Sequence, residues 1–289
     1  MGIFAIVVTY NGSKWYDKCF GSLRNSSVPV QVIVIDNAST DDTVSYIKKK
    51  YPEILLIESR NNLGFGKANN IGMKYALKHG ADYVFLINQD AWVMPDTIEK
   101  LCYQMQQYPR YGILSPIHLN GTGNELDFNF SKNLNPQSCH GFISDYVVNG
   151  KAKDEIYPVK FVNAALWLIS KECLEKIGGF CPLFPHYGED NNYVDRLVYH
   201  KLKIGIYPLV YGVHDRPQIA TKINKQQREK RHFIGLLIIL CNINSSFLYF
   251  YFNTLKFAYQ KRHLYLFAFG NAVQTFGQSY PPPSFAYTA

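Results

Sequence analysis

Short apolar runs alternate with apolar stripes of helical spacing along the first third of the chain. The runs predict β-strands over residues 3–9, 32–35, 54–57 and 83–87. Between them, apolar residues such as Tyr16, Phe20 and Leu23 recur three and four positions apart, which predicts amphipathic helices. Strands that alternate with helices require right-handed crossovers, so the pattern predicts an α/β fold with a mostly parallel sheet.

The later part of the chain has a weaker pattern. Glycine, asparagine and serine collect between residues 113 and 160, where no regular element is predicted and where we expect loops that shape one side of a site. Further elements are predicted as a strand over residues 162–169, helices from Lys171 and Glu189, and a short strand over residues 204–207. We therefore predict a catalytic domain over residues 1–215 and an extension over residues 216–289.

Length and cysteine spacing narrow the class of protein. A chain of 289 residues is long enough to bury a full core within one elaborated domain. Its six cysteines are scattered and form no C-x-x-C pair, which argues against a disulfide framework and against a zinc site. Because the first strand begins at once, with no basic or cleavable apolar leader, we expect a cytoplasmic protein.

The net charge of +8 is concentrated in the extension. Residues 1–215 carry 21 basic and 21 acidic residues, whereas the extension carries nine basic residues and one acid. The basic residues flank an uncharged run over residues 233–255, which predicts helices lying on the anionic inner face of the cytoplasmic membrane. The alternative is a helical pair packed against the catalytic domain. Nucleic acid is not an expected partner, because these basic residues do not line a groove.

Polar side chains follow three of the predicted strands. They are Thr9 and Asn11 after the first strand, Asp36 and Asn37 after the second, and Asn88, Gln89 and Asp90 after the fourth. In an open α/β sheet, ligands bind at the carboxyl ends of the strands. Two acids at that edge suit a nucleotide and a divalent metal ion.

A further segment, residues 61–72, reads Asn-Asn-Leu-Gly-Phe-Gly-Lys-Ala-Asn-Asn-Ile-Gly. Together with the strand ends it resembles the family 2 glycosyltransferases, in particular the rhamnosyltransferase-like branch of bacterial surface-polysaccharide biosynthesis. The resemblance covers residues 3–215 in the family's order and implies the Rossmann-like GT-A fold. It also implies an inverting, metal-dependent hexosyl- or deoxyhexosyltransferase. Such an enzyme moves a sugar from a UDP- or dTDP-linked donor to a hydroxyl of a glycan or lipid-linked acceptor.

The resemblance implies that this edge of the sheet binds the donor nucleotide. The candidate residues are Thr9, Asn11, Asp36, Asn37, Asn61, Gly64, Lys67 and Asn69. Asp36 is the strongest of them, because its carboxylate can accept hydrogen bonds from a base or ribose. Lys67 or Asn69 is expected to face the diphosphate or the base. The alternative for the asparagines and glycines is a structural role in helix caps and close-packed turns.

The Asn88-Gln89-Asp90 segment occupies the position of the family's D-x-D motif, with Asn88 in place of the first acid. The resemblance implies that Asp90 and His214 bind Mg²⁺ or Mn²⁺, with Asn88 as a further candidate. A single carboxylate holds such an ion weakly, so the nucleotide must supply ligands. The alternative is that Asp90 caps the helix near Pro95.

Glu189 and Asp190, with Arg196 after them, resemble the family's E-D-x-D-x-x-x-R element, with Asn192 in place of the second Asp. The resemblance implies that Asp190 is the catalytic base and that Glu189 orients it or substitutes for it. The alternative is that both acids only complement the helix dipole. Arg196 and Trp167 are further candidates; Trp167 can stack on a sugar ring, although a core position is the default for an aromatic residue.

Two rival functions remain open at this point. A sugar-nucleotide nucleotidyltransferase normally carries a glycine-rich basic loop after its first strand, and residues 11–14 are too sparse to form one. A catalytically silent sugar- or lipid-binding scaffold is kept open by Asn88 and Asn192, which stand where acids are expected.

Overall fold

The structure is a computed structural model that describes residues 1–184, 186–217 and 224–246. The strands in this part of the chain are β1 (Ile3–Thr9), β2 (Gln31–Asp36), β3 (Leu55–Glu58), β4 (Tyr83–Asn88), β5 (Ala91–Val93), β6 (Tyr111–Leu119), β7 (Tyr157–Pro158), β8 (Leu166–Ser170) and β9 (Lys203–His214). The α-helices are α1 (Tyr16–Arg24), α2 (Thr43–Lys50), α3 (Gly64–Lys78), α4 (Thr97–Gln107), α5 (Phe128–Ser131), α6 (Phe142–Asn149), α7 (Lys171–Ile177), α8 (Glu189–Tyr199) and α9 (Lys225–Leu240).

These strands form one sheet in the order β3-β2-β1-β4-β8-β6-β9-β5, and β7 also pairs with β9. The prediction of parallel strands is correct for β3, β2, β1 and β4, which alternate with helices. In the rest of the sheet β6 also runs parallel to β9. The prediction is wrong for β8, which runs antiparallel to both of its neighbours, and for β5 and β7, which run antiparallel to β9. Parallel neighbours need a crossover connection, and the helices α1, α2 and α3 supply it between the first four strands.

The sheet is buried on both faces because helices cover it on both sides. In β1, Phe4 and Ile6 pack with α3, α7 and α8, whereas Ala5 and Val7 pack with α1 and α4. Successive strand residues point to opposite faces, so an apolar run without alternation is expected here. Gly72 lets α3 approach this sheet, since a Cβ there would lie 2.7 Å from Cγ2 of Ile6.

The sequence pattern missed the central strand β6 and most of β9. β6 is almost completely buried, but Pro116 interrupts its apolar run. Pro116 lies at the register shift between Ser115 and Ile117 in the pairing of β6 with β9, where proline can be accommodated. The predicted strand over residues 162–169 is also shorter than expected, since β8 begins at Leu166.

The described part of the extension packs against the catalytic domain. Ile234, Leu236 and Leu237 of α9 are buried, and the Asn244 side chain donates to the Asp195 carbonyl of α8 at 2.7 Å. Packing against the domain, the alternative in the sequence analysis, therefore holds for α9. Within residues 1–184, 186–217 and 224–246, no helix is both long and apolar enough to span a bilayer. The rest of the uncharged run, residues 247–255, lies outside the described residues.

Candidate active site

The first two strands end in a hydrogen-bonded unit centred on Asp36. The Asp36 carboxylate is buried and accepts hydrogen bonds from Thr9 Oγ1 at 3.0 Å and from the Ser39 N–H at 2.9 Å and hydroxyl at 2.5 Å. These bonds fix the turn between β2 and α2. Asp36 and Thr9 therefore lie in the wall behind the cavity at this edge, and their contact with a nucleotide stays a prediction.

Asn11 and Asn37 hold the neighbouring loops together. Asn11 has a φ of 47°, and its side-chain oxygen accepts a hydrogen bond from the Thr40 N–H at 2.8 Å. The Asn37 side chain accepts from the Leu63 N–H at 3.1 Å and donates to the Gly64 carbonyl at 3.3 Å. Asn37 thus joins the end of β2 to the start of α3, the segment that is predicted to bind the donor.

A first cavity of about 700 Å³, which we call the nucleotide-side cavity, opens between these loops. Its lining includes Asn37, Gly64 and Lys67 from the predicted donor set, together with Tyr10, Asn62, Asn88, Gln89, Asp90 and His186. Tyr10 was missed, although it directly follows the first predicted strand. Gln89 fixes this residue, because its side chain accepts from the Tyr10 N–H at 2.9 Å and donates to the Tyr10 carbonyl at 3.2 Å.

Besides Thr9 and Asp36, three members of the predicted donor set, Asn11, Asn61 and Asn69, are not part of this lining. Asn69 is buried within α3, and its side-chain amide donates to the Phe65 carbonyl at 3.0 Å. The expectation that Asn69 faces a diphosphate or base is therefore wrong, because its position in the helix turns it toward the core. Asn61 is exposed and is not part of the cavity lining.

Asp90 and His214 are brought together by the pairing of β5 with β9, in which Ala91 lies opposite His214. Asp90 Oδ1 lies 3.3 Å from His214 Nε2, and Asn88 Nδ2 lies 3.4 Å from the same nitrogen. The structure therefore brings together the three residues that were predicted to form one group. The segment after β9 is fixed as well, since Trp15 Nε1 donates to the Asp215 carboxylate at 2.9 Å.

The donor atoms of this group fit a divalent cation. Asn88 Oδ1 is buried without a hydrogen-bond partner among the described residues, and it adds a neutral oxygen to a carboxylate and an imidazole. Carboxylate and amide oxygens suit Mg²⁺, and the imidazole favours Mn²⁺. The described residues contain no cluster of three or more His, Cys, Asp or Glu side chains that would hold an ion alone. Phosphate oxygens of a ligand would therefore have to complete the coordination.

Glu189 and Asp190 open α8 in different environments. Glu189 is only 5% exposed, and its Oε2 has no hydrogen-bond partner in the described structure. Burial raises the pKa of Glu189 to about 7. Asp190 is half-buried and accepts from the Asn191 N–H at 2.9 Å. Burial also raises the pKa of Asp190, although hydrogen bonds from the backbone of Asn191 and Ala164 oppose this shift.

A second cavity of about 780 Å³ meets the first at Asn88, Asp90 and His186. We call it the basic cavity; its lining also contains Phe128, Asn129, Lys132, Tyr187, His214, Arg216, Pro217, Arg231, Ile234, Gly235 and Ile238. Neither Glu189 nor Asp190 is among the residues that line the two cavities. Lys132, Arg216 and Arg231 were not predicted as site residues. Arg216 and Arg231 belong to the extension, whose basic residues were predicted to meet a membrane surface, and Lys132 lies in the segment where no regular element was predicted.

Arg216 is held in this cavity by a completely buried acid. Its guanidinium donates to both carboxylate oxygens of Asp127, at 2.8 and 2.5 Å. Burial alone would raise the pKa of Asp127, but the bonds from Arg216 and from the Phe130 N–H lower it to about 2. The ion pair fixes the chain immediately after His214.

Arg196 and Trp167 are structural residues. The Arg196 guanidinium donates to the carbonyls of Ile177 at 2.6 Å and Gly179 at 2.7 Å, and so supports the loop after α7. Trp167 is completely buried, and its Nε1 donates to the Val162 carbonyl at 3.1 Å. The suggestion that Trp167 stacks on a sugar ring is therefore wrong. Its side chain lies on the face of β8 that packs against the core.

The comparisons with known proteins agree with this geometry. The model of glycosyl transferase family 2 matches residues 4–177. The N-acetylglucosaminyl-diphospho-decaprenol L-rhamnosyltransferase of Mycobacterium tuberculosis is 25% identical over 211 residues, which cover 66% of this chain and 69% of the relative.

Two solved structures have the same fold. The S. aureus TarS 1–349 fragment in complex with UDP has a TM-score of 0.58 and 16% identity, and the match covers 85% of this chain and 67% of that one. The mannosyltransferase PcManGT from Pyrobaculum calidifontis, in complex with GDP-Man and Mn²⁺, has a TM-score of 0.58 and 19% identity. That match covers 84% of this chain and 64% of that one.

Proposed function

We propose which reaction this chain catalyses. The chain belongs to glycosyl transferase family 2 and is a glycosyltransferase. In that reaction a sugar moves, with inversion, from a nucleotide-diphosphate donor to a hydroxyl of a glycan or lipid-linked acceptor in surface-polysaccharide biosynthesis. The observation that carries the proposal is the position of Asp90. This acid lies where the nucleotide-side cavity meets the basic cavity, beside His214 and the unpartnered Asn88 oxygen.

The proposed donor is a UDP- or dTDP-linked hexose or deoxyhexose. Tyr10, Asn37, Gly64 and Lys67 line a cavity large enough for a nucleotide. Relatives support this choice, since the TarS fragment binds UDP and the mycobacterial relative is a rhamnosyltransferase. Asp90 and His214, with the Asn88 oxygen, would hold Mg²⁺ or Mn²⁺. The bound ion supplies positive charge to the departing diphosphate.

Asp190 is the proposed base. It accepts the proton of the acceptor hydroxyl while that oxygen attacks the anomeric carbon, and the bond to the diphosphate oxygen breaks with its electron pair leaving on the nucleoside diphosphate. One displacement inverts the anomeric centre. A pKa raised by burial favours proton acceptance by Asp190. Glu189, whose pKa burial raises to about 7, is the residue that would orient Asp190 or substitute for it.

The proposed location is the inner face of the cytoplasmic membrane, with peripheral attachment. The name of the mycobacterial relative gives N-acetylglucosaminyl-diphospho-decaprenol as its acceptor, and an acceptor with such a long apolar chain would favour a membrane. The basic extension supports the proposal by its charge, since Lys and Arg residues near a membrane are attracted to anionic lipids.

The first experiment measures release of nucleoside diphosphate from UDP-, dTDP- and GDP-sugars with Mn²⁺, Mg²⁺ or EDTA. We expect slow hydrolysis of one donor that EDTA abolishes. Asp90→Asn should reduce it about 100-fold or more, because the remaining ligands hold the ion weakly. Asp96→Asn is the matched control, since the Asp96 side chain is 45% exposed and forms an ion pair with Lys100. Donor binding without turnover, even with acceptors present, would instead indicate a silent scaffold.

A further inference from the structure

We infer that the basic cavity binds the phosphate or diphosphate that joins an acceptor sugar to its lipid. The inference rests on the proposed function and adds to it the chemical class of the acceptor and the residues that recognise it. The two cavities share Asp90, so an anion in the basic cavity lies next to the reaction centre and outside the nucleotide-side cavity.

The charge of the basic cavity differs from that of its neighbour. Its described lining carries Lys132, Arg216 and Arg231 against one acid, Asp90. Among the described residues that line the nucleotide-side cavity, Lys67 is the single lysine or arginine, and it stands against the same acid. The excess positive charge therefore lies beyond the cavity assigned to the nucleotide, where a second anionic group would be attracted.

Two of these cations are available to a ligand. Arg231 makes no ion pair or hydrogen bond with any residue that the structure describes, while Asp127 neutralises Arg216. Lys132 comes from a separate segment, after α5. Its ammonium donates to Asn129 Oδ1 at 3.0 Å and lies 4.1 Å from the centre of the Phe128 ring, which places it at the cavity wall. Charge-assisted bonds from lysine and arginine are the strong contacts for phosphate.

The same cavity has an apolar side. Arg231, Ile234, Gly235 and Ile238 lie three, four and seven positions apart, so one face of α9 lines the cavity with a cation followed by isoleucines. The face spans roughly 10 Å from Arg231 to Ile238 at 1.5 Å per residue. That length suits a phosphate at one end and the first carbons of a lipid chain at the other. Phe128, which is 49% exposed, adds to this apolar surface.

A farnesyl diphosphate titration tests this inference without knowledge of the acceptor sugar. The full chain is first saturated with Mg²⁺ and with UDP, dTDP or GDP, whichever binds, so that the donor's diphosphate position is filled. Calorimetry then measures binding of farnesyl diphosphate and of farnesol. We expect the diphosphate to bind the saturated protein and farnesol to bind about tenfold more weakly or worse.

Arg231→Glu and Arg231→Gln are compared with Arg228→Glu, one turn earlier on α9, where the side chain is exposed and does not line the cavity. We expect a loss of about tenfold or more in affinity for farnesyl diphosphate in both Arg231 variants and a change within about twofold in the control. Circular dichroism confirms that each variant is folded.

Three results would overturn the inference. Displacement of farnesyl diphosphate by the nucleotide would assign these cations to the donor's diphosphate. Equal losses in the Arg231 and Arg228 variants would indicate a nonspecific charge effect. Equal affinities for farnesol and farnesyl diphosphate would show that the cavity binds the apolar chain and not the diphosphate. Farnesyl diphosphate binding is also measured without nucleotide. Failure of every nucleotide to bind would therefore refute the proposed function, while the nucleotide-free titration still tests the basic cavity.

Discussion

Replacing Glu189 by glutamine should change how the stability of the protein depends on pH. Glu189 is 5% exposed, and its Oε2 has no hydrogen-bond partner among the described residues. Burial, assisted by the negative charge of Asp190, raises its pKa from 4.5 to about 7, although a backbone hydrogen bond opposes the shift. Such a group binds its proton more tightly in the folded protein than in the unfolded chain.

The magnitude follows from linkage. Between pH 4.5 and 7 the folded protein retains a proton that the unfolded chain has lost, so the free energy of unfolding falls as the pH rises through this range. A shift of this size corresponds to about 3 kcal/mol in total. Most of it, about 2 to 3 kcal/mol, is lost between about pH 5 and pH 8. Glutamine has no proton to lose, so Glu189→Gln should not show this decline.

Urea unfolding at a series of pH values measures the effect. We expect the stability of Glu189→Gln relative to the wild type to increase by about 2 to 3 kcal/mol from about pH 5 to pH 8. Any fixed cost of burying the amide shifts the whole curve and leaves this increase unchanged. Asp195, whose pKa burial raises to about 6, titrates in both proteins and cancels from the difference.

Glu172→Gln is the matched control, because Glu172 is exposed in an ion pair with Lys176 on α7. Its stability should follow the wild type in parallel across the pH range. The reasoning fails if Glu189→Gln also runs parallel to the wild type, since Glu189 would then be ionised in the folded protein near pH 6.

Three further substitutions test the packing around the site. Asp127→Asn should lower the free energy of unfolding by about 2 kcal/mol, because it leaves Arg216 without its buried acid; a urea titration measures this, and an unchanged midpoint would contradict it. Gly188→Ala should make α9 more accessible to protease, since Gly188 has a φ of +87° and a Cβ there would lie 2.9 Å from Ile234; equal digestion rates would refute this. Trp167→Phe should lower the melting temperature and leave the KM of the donor unchanged, because the indole is buried outside both cavities; a raised KM would restore its role at the site.

The first four strands could be predicted from sequence because each is a continuous apolar run that ends in polar residues. β6 could not, since Pro116 lies in the middle of a central strand, where proline normally argues against one. The strand tolerates it because the pairing with β9 shifts register there. That shift depends on a partner almost a hundred residues away, and no local pattern contains it.

The sequence located the motifs but not the direction of each side chain. Thr9 and Asp36 bond to each other behind the nucleotide-side cavity, whereas Tyr10 and Asn37, the next residues along the chain, line it. Successive residues of a strand point to opposite sides, so a shift of one position separates a wall residue from a contact residue. Which of the two faces the cavity depends on how each strand end turns into its loop.

The basic residues of the extension are a second case in which sequence gives the residues but not the direction of their side chains. Arg228, Lys230 and Arg231 are equivalent in a count of net charge, which led to the prediction of a membrane surface. The burial of Leu236 and Leu237 fixes the rotation of α9 about its axis, and that rotation brings Arg231 into the lining of the basic cavity and leaves Arg228 outside it. The buried apolar residues of a helix therefore decide which of its charged side chains line a cavity and which face solvent. The two arginines consequently form a matched pair that separates a site in the cavity from a general attraction to anionic surfaces.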